Sequence, residues 1–168
     1  MTAPTLVMAA RGSRDQRVVR VAQALQTELS RMRPEVDSSV AFLDSCLPSV
    51  TQTLDKLAAR GVRETVIVPL DLTHAIEVDP RFSGIVAQAA QQHPGLRISV
   101  ARPIGPEASL LTLLDTRLRA ALAAARVLEL DGLILSSSTT GDVRGTALLA
   151  RRARQWSTHH RLPCLTAV

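Results

Sequence analysis

Short apolar runs alternate with longer amphipathic stretches along the whole chain. A short, continuous apolar run is typical of a strand that is covered on both faces of a parallel sheet. Such runs occupy residues 5–10, 39–43, 64–70, 96–101, 132–137 and 163–168. Because strands that alternate with helices are joined by βαβ crossovers, the pattern predicts an α/β fold with a parallel sheet.

The stretches between these runs carry apolar residues at the spacing of one helix face. The sets are Val18, Val21, Ala22, Leu25 and Leu29, then Val50, Leu54, Leu57 and Ala58, then Ile85, Val86 and Ala89, and last Leu110, Leu111, Leu114, Leu118 and Leu122. Pro48 stands at a predicted helix start, and Gly61 and Gly95 stand where helices are expected to end. These helices supply the crossovers.

The chain also contains an internal repeat. A shift of 127 residues aligns Leu6 with Leu133, Val7 with Ile134, Met8 with Leu135, Asp15 with Asp142 and Arg17 with Arg144. The strand ending at Phe42 matches the one ending at Val168 after a one-residue deletion. We therefore predict an α/β lobe over 1–127 and the start of a second, truncated βαβ repeat over 128–168, the alternative being chance similarity between two βαβ units.

The first strand ends in a polar turn with the sequence Arg11-Gly12-Ser13-Arg14-Asp15. Gly12 can adopt backbone angles closed to other residues, and Ser13 or Asp15 can cap the following helix. Open α/β sheets bind their ligands at the carboxyl ends of parallel strands. Because this turn carries two guanidinium groups, the pattern predicts an anionic ligand.

Composition narrows the class of partner. The 168 residues are 46% hydrophobic and 21% charged, which suits a globular domain, and the net charge is +5. Aromatic residues make up only 2%, which argues against modules that stack nucleic-acid bases. The basic residues are scattered, which is typical of solvated helix faces or of a site for an acidic small molecule. Cys46 and Cys164 lack the spacing of a zinc site or a disulfide framework.

Three segments together resemble the sirohydrochlorin chelatases, the CbiX- and SirB-like class II cobalt- and ferrochelatases of tetrapyrrole biosynthesis. The turn at 11–15 is similar to the His-Gly-Ser-Arg-Asp turn of that family. The segments 40–50, Val-Ala-Phe-Leu-Asp-Ser-Cys-Leu-Pro-Ser-Val, and 58–70, Ala-Ala-Arg-Gly-Val-Arg-Glu-Thr-Val-Ile-Val-Pro-Leu, are similar to its second and third strands. The resemblance covers residues 5–127, and 132–168 are similar to the opening of the second half of the long family form.

Both family histidines are replaced in this chain. Arg11 stands at the first position, and Glu77 aligns with the second, within Thr73-His-Ala-Ile-Glu-Val-Asp79. In the family these histidines are thought to hold the metal and to accept pyrrole protons. Arginine can do neither, because it stays protonated and has no free lone pair. Glu77 can do both in principle, and His74 lies three residues away.

The resemblance therefore implies a set of site residues. Glu77 and His74 are the candidate catalytic residues, with Asp79 as a third candidate metal ligand, and Arg11, Gly12, Ser13 and Arg14 are the candidate substrate-binding residues. Less specific roles stay open for each. Arg11 can pair with Asp15 or Glu77, Ser13 can be a helix cap, His74 can be a loop residue, and Glu77 and Asp79 can be acids of a first helix turn.

Three functions stay open. The first is a chelatase, a lyase that inserts cobalt or ferrous iron into sirohydrochlorin or a similar macrocycle for cobalamin or siroheme biosynthesis, weakened by the loss of both histidines. The second is a non-catalytic homologue that binds a tetrapyrrole or a metal. The third is an α/β enzyme for another acidic small molecule.

The remaining expectations concern cofactors, assembly and location. The divalent metal is expected as a substrate, with no organic cofactor, and the macrocycle as the partner, with no nucleic acid or membrane. A truncated repeat leaves an unpaired sheet edge, so a homodimer is expected. A cytoplasmic location is the default, because no signal peptide or membrane-spanning segment is evident. His159 and His160 are expected at the surface, since neighbouring helix residues point in different directions, which argues against a two-histidine metal site.

Overall fold

A computed structural model describes residues 4–137 and 141–168. The strands are β1 (Thr5–Ala10), β2 (Ser38–Phe42), β3 (Glu64–Pro69), β4 (Arg97–Val100), β5 (Leu133–Ser136) and β6 (Cys164–Ala167). The helices are α1 (Arg17–Met32), α2 (Val50–Ala59), α3 (Arg81–Gln92), α4 (Ser109–Ala125) and α5 (Val143–His160). All strand pairs are parallel, so the predicted α/β fold is confirmed.

The chain divides into two compact units. The first comprises Met1–Asp71 and Val78–Pro103, and the second comprises Leu72–Glu77 and Ile104–Val168. The sequence placed α4 in the first lobe, but the structure groups this helix with the second unit. The physical reason is that Leu111 and Leu118 of α4 pack against the core of β5 and α5.

The first unit is a four-stranded sheet in the order β2-β1-β3-β4 with helices on both faces. Successive β1 side chains point to opposite faces, so Val7 and Ala9 join one core cluster while Met8 joins the other. The first cluster also contains Val50, Leu54 and Leu57 of α2 and Phe82 and Ala89 of α3. The second contains Ala22 of α1 with Val40 and Phe42 of β2. Coverage of both faces accounts for the continuous apolar runs.

Helix α2 begins where the sequence placed a start. Ser49 is its N-cap, and its side chain accepts the backbone N–H of Gln52 while the Gln52 side chain accepts that of Ser49. This reciprocal capping box satisfies two backbone donors that the helix cannot pair internally. Pro48, which the sequence placed at the helix start, immediately precedes this cap.

The second unit contains a βαβ motif that repeats the register of the first. In the first unit Leu6 pairs with Ser38 and Val7 with Ser39. In the second, Leu133 pairs with Cys164 and Ile134 with Leu165, which are the positions that the repeat and its deletion align with them. The predicted repeat thus agrees with the observed strand pairing. No helix within the described residues is long and apolar enough to cross a membrane.

Candidate functional site

The strand order of the first unit identifies a place for a ligand. The chain leaves β1 toward β2 on one side and leaves β3 toward β4 on the other, so the winding direction changes between β1 and β3. Open α/β sheets bind ligands at such a point, outside the carboxyl ends of the strands. The polar turn after β1 lies at this edge of the sheet, as the sequence predicted.

Close approach of two loops explains the glycine of this turn. The Gly12 N–H donates to the Asp44 carboxylate at 3.0 Å. A Cβ atom at Gly12 would lie 1.7 Å from the Asp44 carbonyl oxygen, so no other residue fits without moving the backbone. The glycine is therefore required here by contact with the loop after β2.

Ser13 makes local contacts that hold the turn. Its hydroxyl accepts the Asp15 N–H at 3.1 Å within the turn. Ser13 is therefore not the helix cap that the sequence left open, because Gln16 is the N-cap of α1. Its backbone carbonyl accepts the Cys46 thiol at 3.1 Å, and its N–H donates to the same sulfur at 3.4 Å. Cys46 thus has a structural role that its sequence spacing did not indicate.

A chain of alternating charges crosses the edge of the sheet. Arg81, the first residue of α3, donates to Asp44 at 2.8 Å through Nη1 and to Asp79 at 2.8 Å through Nη2. Arg11 Nη2 reaches the same Asp79 oxygen at 3.4 Å. The hydrogen bonds from Arg81 lower the pKa of Asp79 to about 2, so this carboxylate stays ionised at neutral pH.

Sequence reasoning did not find Asp44 and Arg81. Asp44 directly follows a predicted strand, so its place at the carboxyl edge of the sheet was a usable signal. Arg81 carries no comparable signal, because its partner Asp44 is distant along the chain and only the folded sheet brings them together.

Two guanidinium groups remain accessible at this edge. Arg11 has a single long contact to Asp79, and 55% of its side chain is exposed. Arg14 is exposed, and within the described residues its side chain has no ion pair. The sequence left open that Arg11 pairs with a local carboxylate such as Asp15 or Glu77. It does contact a carboxylate, but that of Asp79, and Asp15 instead pairs with Arg17.

His74 and Glu77 lie on the loop Leu72–Glu77, which groups with the second unit. Asp142, the N-cap of α5, holds this loop. One oxygen of its carboxylate accepts the backbone N–H groups of Ala75, Ile76 and Glu77 at 3.1, 2.8 and 2.7 Å. Its other oxygen accepts the N–H of Gly145. The loop is therefore anchored through its backbone.

The anchoring carboxylate is buried and ionised. Burial acts to raise the pKa of Asp142, but the donors of Glu77, Gly145, Ile76 and Ala75 outweigh it and hold the pKa well below its usual range. Gly145 and Gly141 permit the close packing. A Cβ atom on either would lie within 2.2 Å of the Thr73 carbonyl oxygen.

The two candidate catalytic side chains differ in exposure. His74 is half-buried, and its Nδ1 lies 3.2 Å from the Thr73 hydroxyl. Glu77 is exposed, and its carboxylate has no hydrogen bond or ion pair within residues 4–137 and 141–168. The structure therefore brings Asp79 to Arg11 in the first unit and carries His74 and Glu77 together on one loop of the second.

The second unit also contains a cavity of about 370 Å³, a volume within the range of small-molecule sites. Its lining includes leucines of two helices, among them Leu110 and Leu114 of α4 and Leu149 of α5. Arg117 and Arg152 are the cationic side chains of its lining. Such a cavity offers apolar contact to a flat ligand and charge to acidic substituents. The sequence did not predict it.

Comparison with known proteins places this architecture in context. The CbiX family model matches residues 5–121. A sirohydrochlorin cobaltochelatase of Priestia megaterium is 28% identical over 95 residues, which are 54% of this chain and 31% of that protein. The curated relative is thus matched over about a third of its length.

Two solved structures share the fold. The sirohydrochlorin chelatase SirB of Bacillus subtilis subspecies spizizenii, in complex with cobalt, gives a TM-score of 0.77 at 16% identity, over 98% of this chain and 66% of that one. The CbiX protein of Marinobacter aquaeolei VT8 gives a TM-score of 0.55 at 18% identity, over 74% of this chain and 98% of that one. At these identities the likeness concerns the fold alone.

Proposed function

This chain belongs to the CbiX family, and we propose that it acts on an acidic tetrapyrrole as a sirohydrochlorin chelatase, with catalysis weakened by the loss of both histidines. The observation that carries the proposal is the family match over residues 5–121, which includes both the turn at 11–15 and the loop that bears His74 and Glu77. The metal, cobalt or ferrous iron, is a substrate in this reaction.

Arg11 and Arg14 bind peripheral carboxylates of the macrocycle in this proposal. Each guanidinium offers two parallel N–H donors to a carboxylate, and both groups are accessible at the edge of the sheet. Ser13 and Gly12 shape the turn that presents them. The salt bridges of Arg81 leave it no role in substrate charge, because Asp44 and Asp79 already compensate that cation.

Glu77 and His74 receive the metal and the protons. Chelation replaces the two inner pyrrole N–H protons of the macrocycle with one divalent ion, so the site must bind a cation and accept two protons. The unpaired carboxylate of Glu77 suits both tasks, and a neutral imidazole of His74 adds a nitrogen ligand. Asp79 is the weaker ligand candidate, because its oxygens already accept bonds from Arg81 and Arg11.

The test is a chelation assay on the purified chain. Sirohydrochlorin is mixed with Co²⁺ or Fe²⁺, and the change in its absorption spectrum is followed with and without protein. We expect a metal-dependent rate above the uncatalysed one, reduced in Glu77→Gln and unchanged in Glu129→Gln, an acid outside the proposed site. A rate equal to the uncatalysed reaction with both metals would refute catalysis.

The specific observation of Arg11 at the histidine position favours a second candidate, a non-catalytic tetrapyrrole-binding homologue. A permanent cation there repels a divalent metal but attracts a carboxylate. This candidate predicts that sirohydrochlorin quenches protein fluorescence on binding while metal insertion stays at the uncatalysed rate. The same two measurements therefore separate the candidates.

A further inference from the structure

A second cluster of metal-ligating side chains lies in the second unit, away in sequence from the loop that bears His74 and Glu77. Asp115 lies in the middle of α4, and His159 and His160 are the last two residues of α5. One ligand atom from each of the three lies within 4.8 Å of the others. Among the described residues, this is the group of three or more His, Cys, Asp or Glu side chains whose ligand atoms lie this close together.

The sequence argued against a two-histidine site here, since neighbouring residues on a helix diverge. The premise of divergence does not hold at this helix end. The two imidazole rings lie edge to face with centroids 4.9 Å apart. The helix ends at His160, and Arg161 follows with left-handed backbone angles. At this last turn one nitrogen of each ring lies within 4.8 Å of the same carboxylate group on α4.

The ligand atoms of Asp115 and His160 are unusually placed for a simple ion pair. His160 Nε2 lies 2.8 Å from Asp115 Oδ1, close enough for charge attraction. Yet both atoms are buried from solvent, and neither forms a hydrogen bond of acceptable angle within the described residues. The two atoms are thus close without pointing at each other, which leaves their lone pairs for a common third partner.

The surroundings hold two of the three groups in place. Arg119 donates to the other Asp115 oxygen at 2.8 Å, which orients the carboxylate and leaves Oδ1 for the cluster. The His160 ring packs edge-on against the buried Trp156, with centroids 5.6 Å apart. His159 is exposed, so a solvent ion has access from its side. Outer contacts of this kind orient metal ligands.

We propose that Asp115, His159 and His160 form a binding site for a divalent transition-metal ion such as Zn²⁺, Co²⁺ or Ni²⁺. Imidazole nitrogen suits these ions, and one carboxylate oxygen completes a mixed nitrogen and oxygen set. Two ligands bound at right angles about 2.1 Å from an ion lie about 3 Å apart, so the 2.8 Å separation of His160 and Asp115 needs little adjustment. Water fills the remaining positions. The charge of Arg119 opposes the ion and lowers the affinity.

The experiment follows the histidines individually. The full chain contains four histidines, so a carbon–proton correlation spectrum of its imidazoles resolves each ring during a Zn²⁺ titration. We expect the resonances of His159 and His160 to shift together with a single dissociation constant, and those of His93 to stay. His159→Gln should raise this dissociation constant more than tenfold. Because His159 is exposed, that variant tests binding without disturbing the core.

The matched control is His93→Gln. His93 Nε2 lies 2.7 Å from Asp55 Oδ1, so this site has a histidine–aspartate pair with no third ligand among residues 4–137 and 141–168. The His93→Gln variant should leave the Zn²⁺ affinity of the cluster unchanged. Asp115→Asn should weaken that affinity as His159→Gln does. Thermal unfolding of the metal-free protein shows whether the Asp115→Asn variant folds. Zn²⁺ that shifts neither His159 nor His160, or His159→Gln protein that binds as tightly as wild type, would overturn the site.

This test is independent of the proposed chelatase activity. Metal binding at His74 would move that resonance alone and would leave the His159 and His160 signals in place. Failure of the cluster therefore leaves the proposed function standing, and absence of chelation leaves the cluster standing.

Discussion

The backbone N–H of Glu77 donates to the carboxylate of Asp142 at 2.7 Å. This bond connects a candidate catalytic loop to the start of the helix in the second βαβ repeat. The residue that the repeat aligns with Asp142 is Asp15, which instead accepts the N–H of Arg17 in its own turn. One aspartate position thus has two uses, as an acceptor within its own turn in the first βαβ unit and as an anchor for a distant loop in the second.

The carboxylate of Asp142, which anchors the Leu72–Glu77 loop, should contribute measurably to the stability of the fold. Asp142→Ala should lower the free energy of unfolding by about 2–4 kcal/mol, because it removes an N-cap and takes the acceptor from three backbone donors of the loop and from the buried N–H of Gly145. Urea denaturation measures this change. Asp15→Ala, which removes an exposed aspartate at the equivalent repeat position, should cost clearly less. Equal losses in the two variants would mean that Asp142 acts only as a helix cap.

The lowered pKa of Asp142 predicts a dependence of stability on pH. A carboxyl group whose pKa is lower in the folded than in the unfolded chain stabilises the fold above its unfolded pKa, near 4, and loses that contribution as the pH falls toward the folded pKa. Wild-type protein without metal should therefore lose more stability between pH 7 and pH 3 than Asp142→Asn, whose side chain does not titrate. Denaturation curves at the two pH values measure the difference, and parallel losses would contradict the assignment.

The exposed arginines of the first turn predict the charge of the ligand. Arg11→Ala with Arg14→Ala should weaken sirohydrochlorin binding by a few kcal/mol, since a hydrogen bond to a charged group contributes about 1.5–3 kcal/mol. Fluorescence quenching measures the affinity. The control is Arg31→Ala with Arg33→Ala, which removes the same charge near the far end of α1. Unchanged affinity in the turn variant would move the binding site elsewhere.

Restoring the two family histidines predicts a gain of function. Arg11→His with Glu77→His supplies two neutral imidazole ligands and removes a cation that repels the metal. Cobalt affinity and the chelation rate should both rise, while carboxylate binding at the first turn should fall. Titration calorimetry and the absorbance assay measure the two effects. A wild-type rate as high as that of the variant would show that Glu77 or His74 already suffices.

The small sheet of the second unit predicts a homodimer. Ile134 and Leu165 pair across β5 and β6, and their exposed fractions are 68% and 70%. Adjacent apolar side chains at that exposure are typical of a covered surface, so light scattering at micromolar concentration should give twice the 18.1 kDa chain mass. Ile134→Arg should shift the protein toward monomer, whereas Val21→Arg, at an equally exposed position on α1, should not. A monomer mass for wild type would exclude the dimer.

The sequence by itself determined the strands and the helices, and it predicted the repeat. Burial on both faces makes a strand continuously apolar, as in residues 5–10, and burial on one face gives α1 its helical spacing. These patterns depend on residues that are close together in the sequence, so they can be recognised without the fold. The turn at 11–15 could also be located from the sequence, because a polar segment after a buried strand must lie at the edge of the sheet.

Only the tertiary structure decided which distant side chains meet. The bond from Arg81 to Asp44, the anchoring of the Glu77 loop by Asp142 and the cluster of Asp115 with His159 join residues far apart along the chain. The membership of α4 in the second unit was decided in the same way. Such pairings depend on how whole helices and strands pack against one another. The local periodicity of the sequence does not predict that packing.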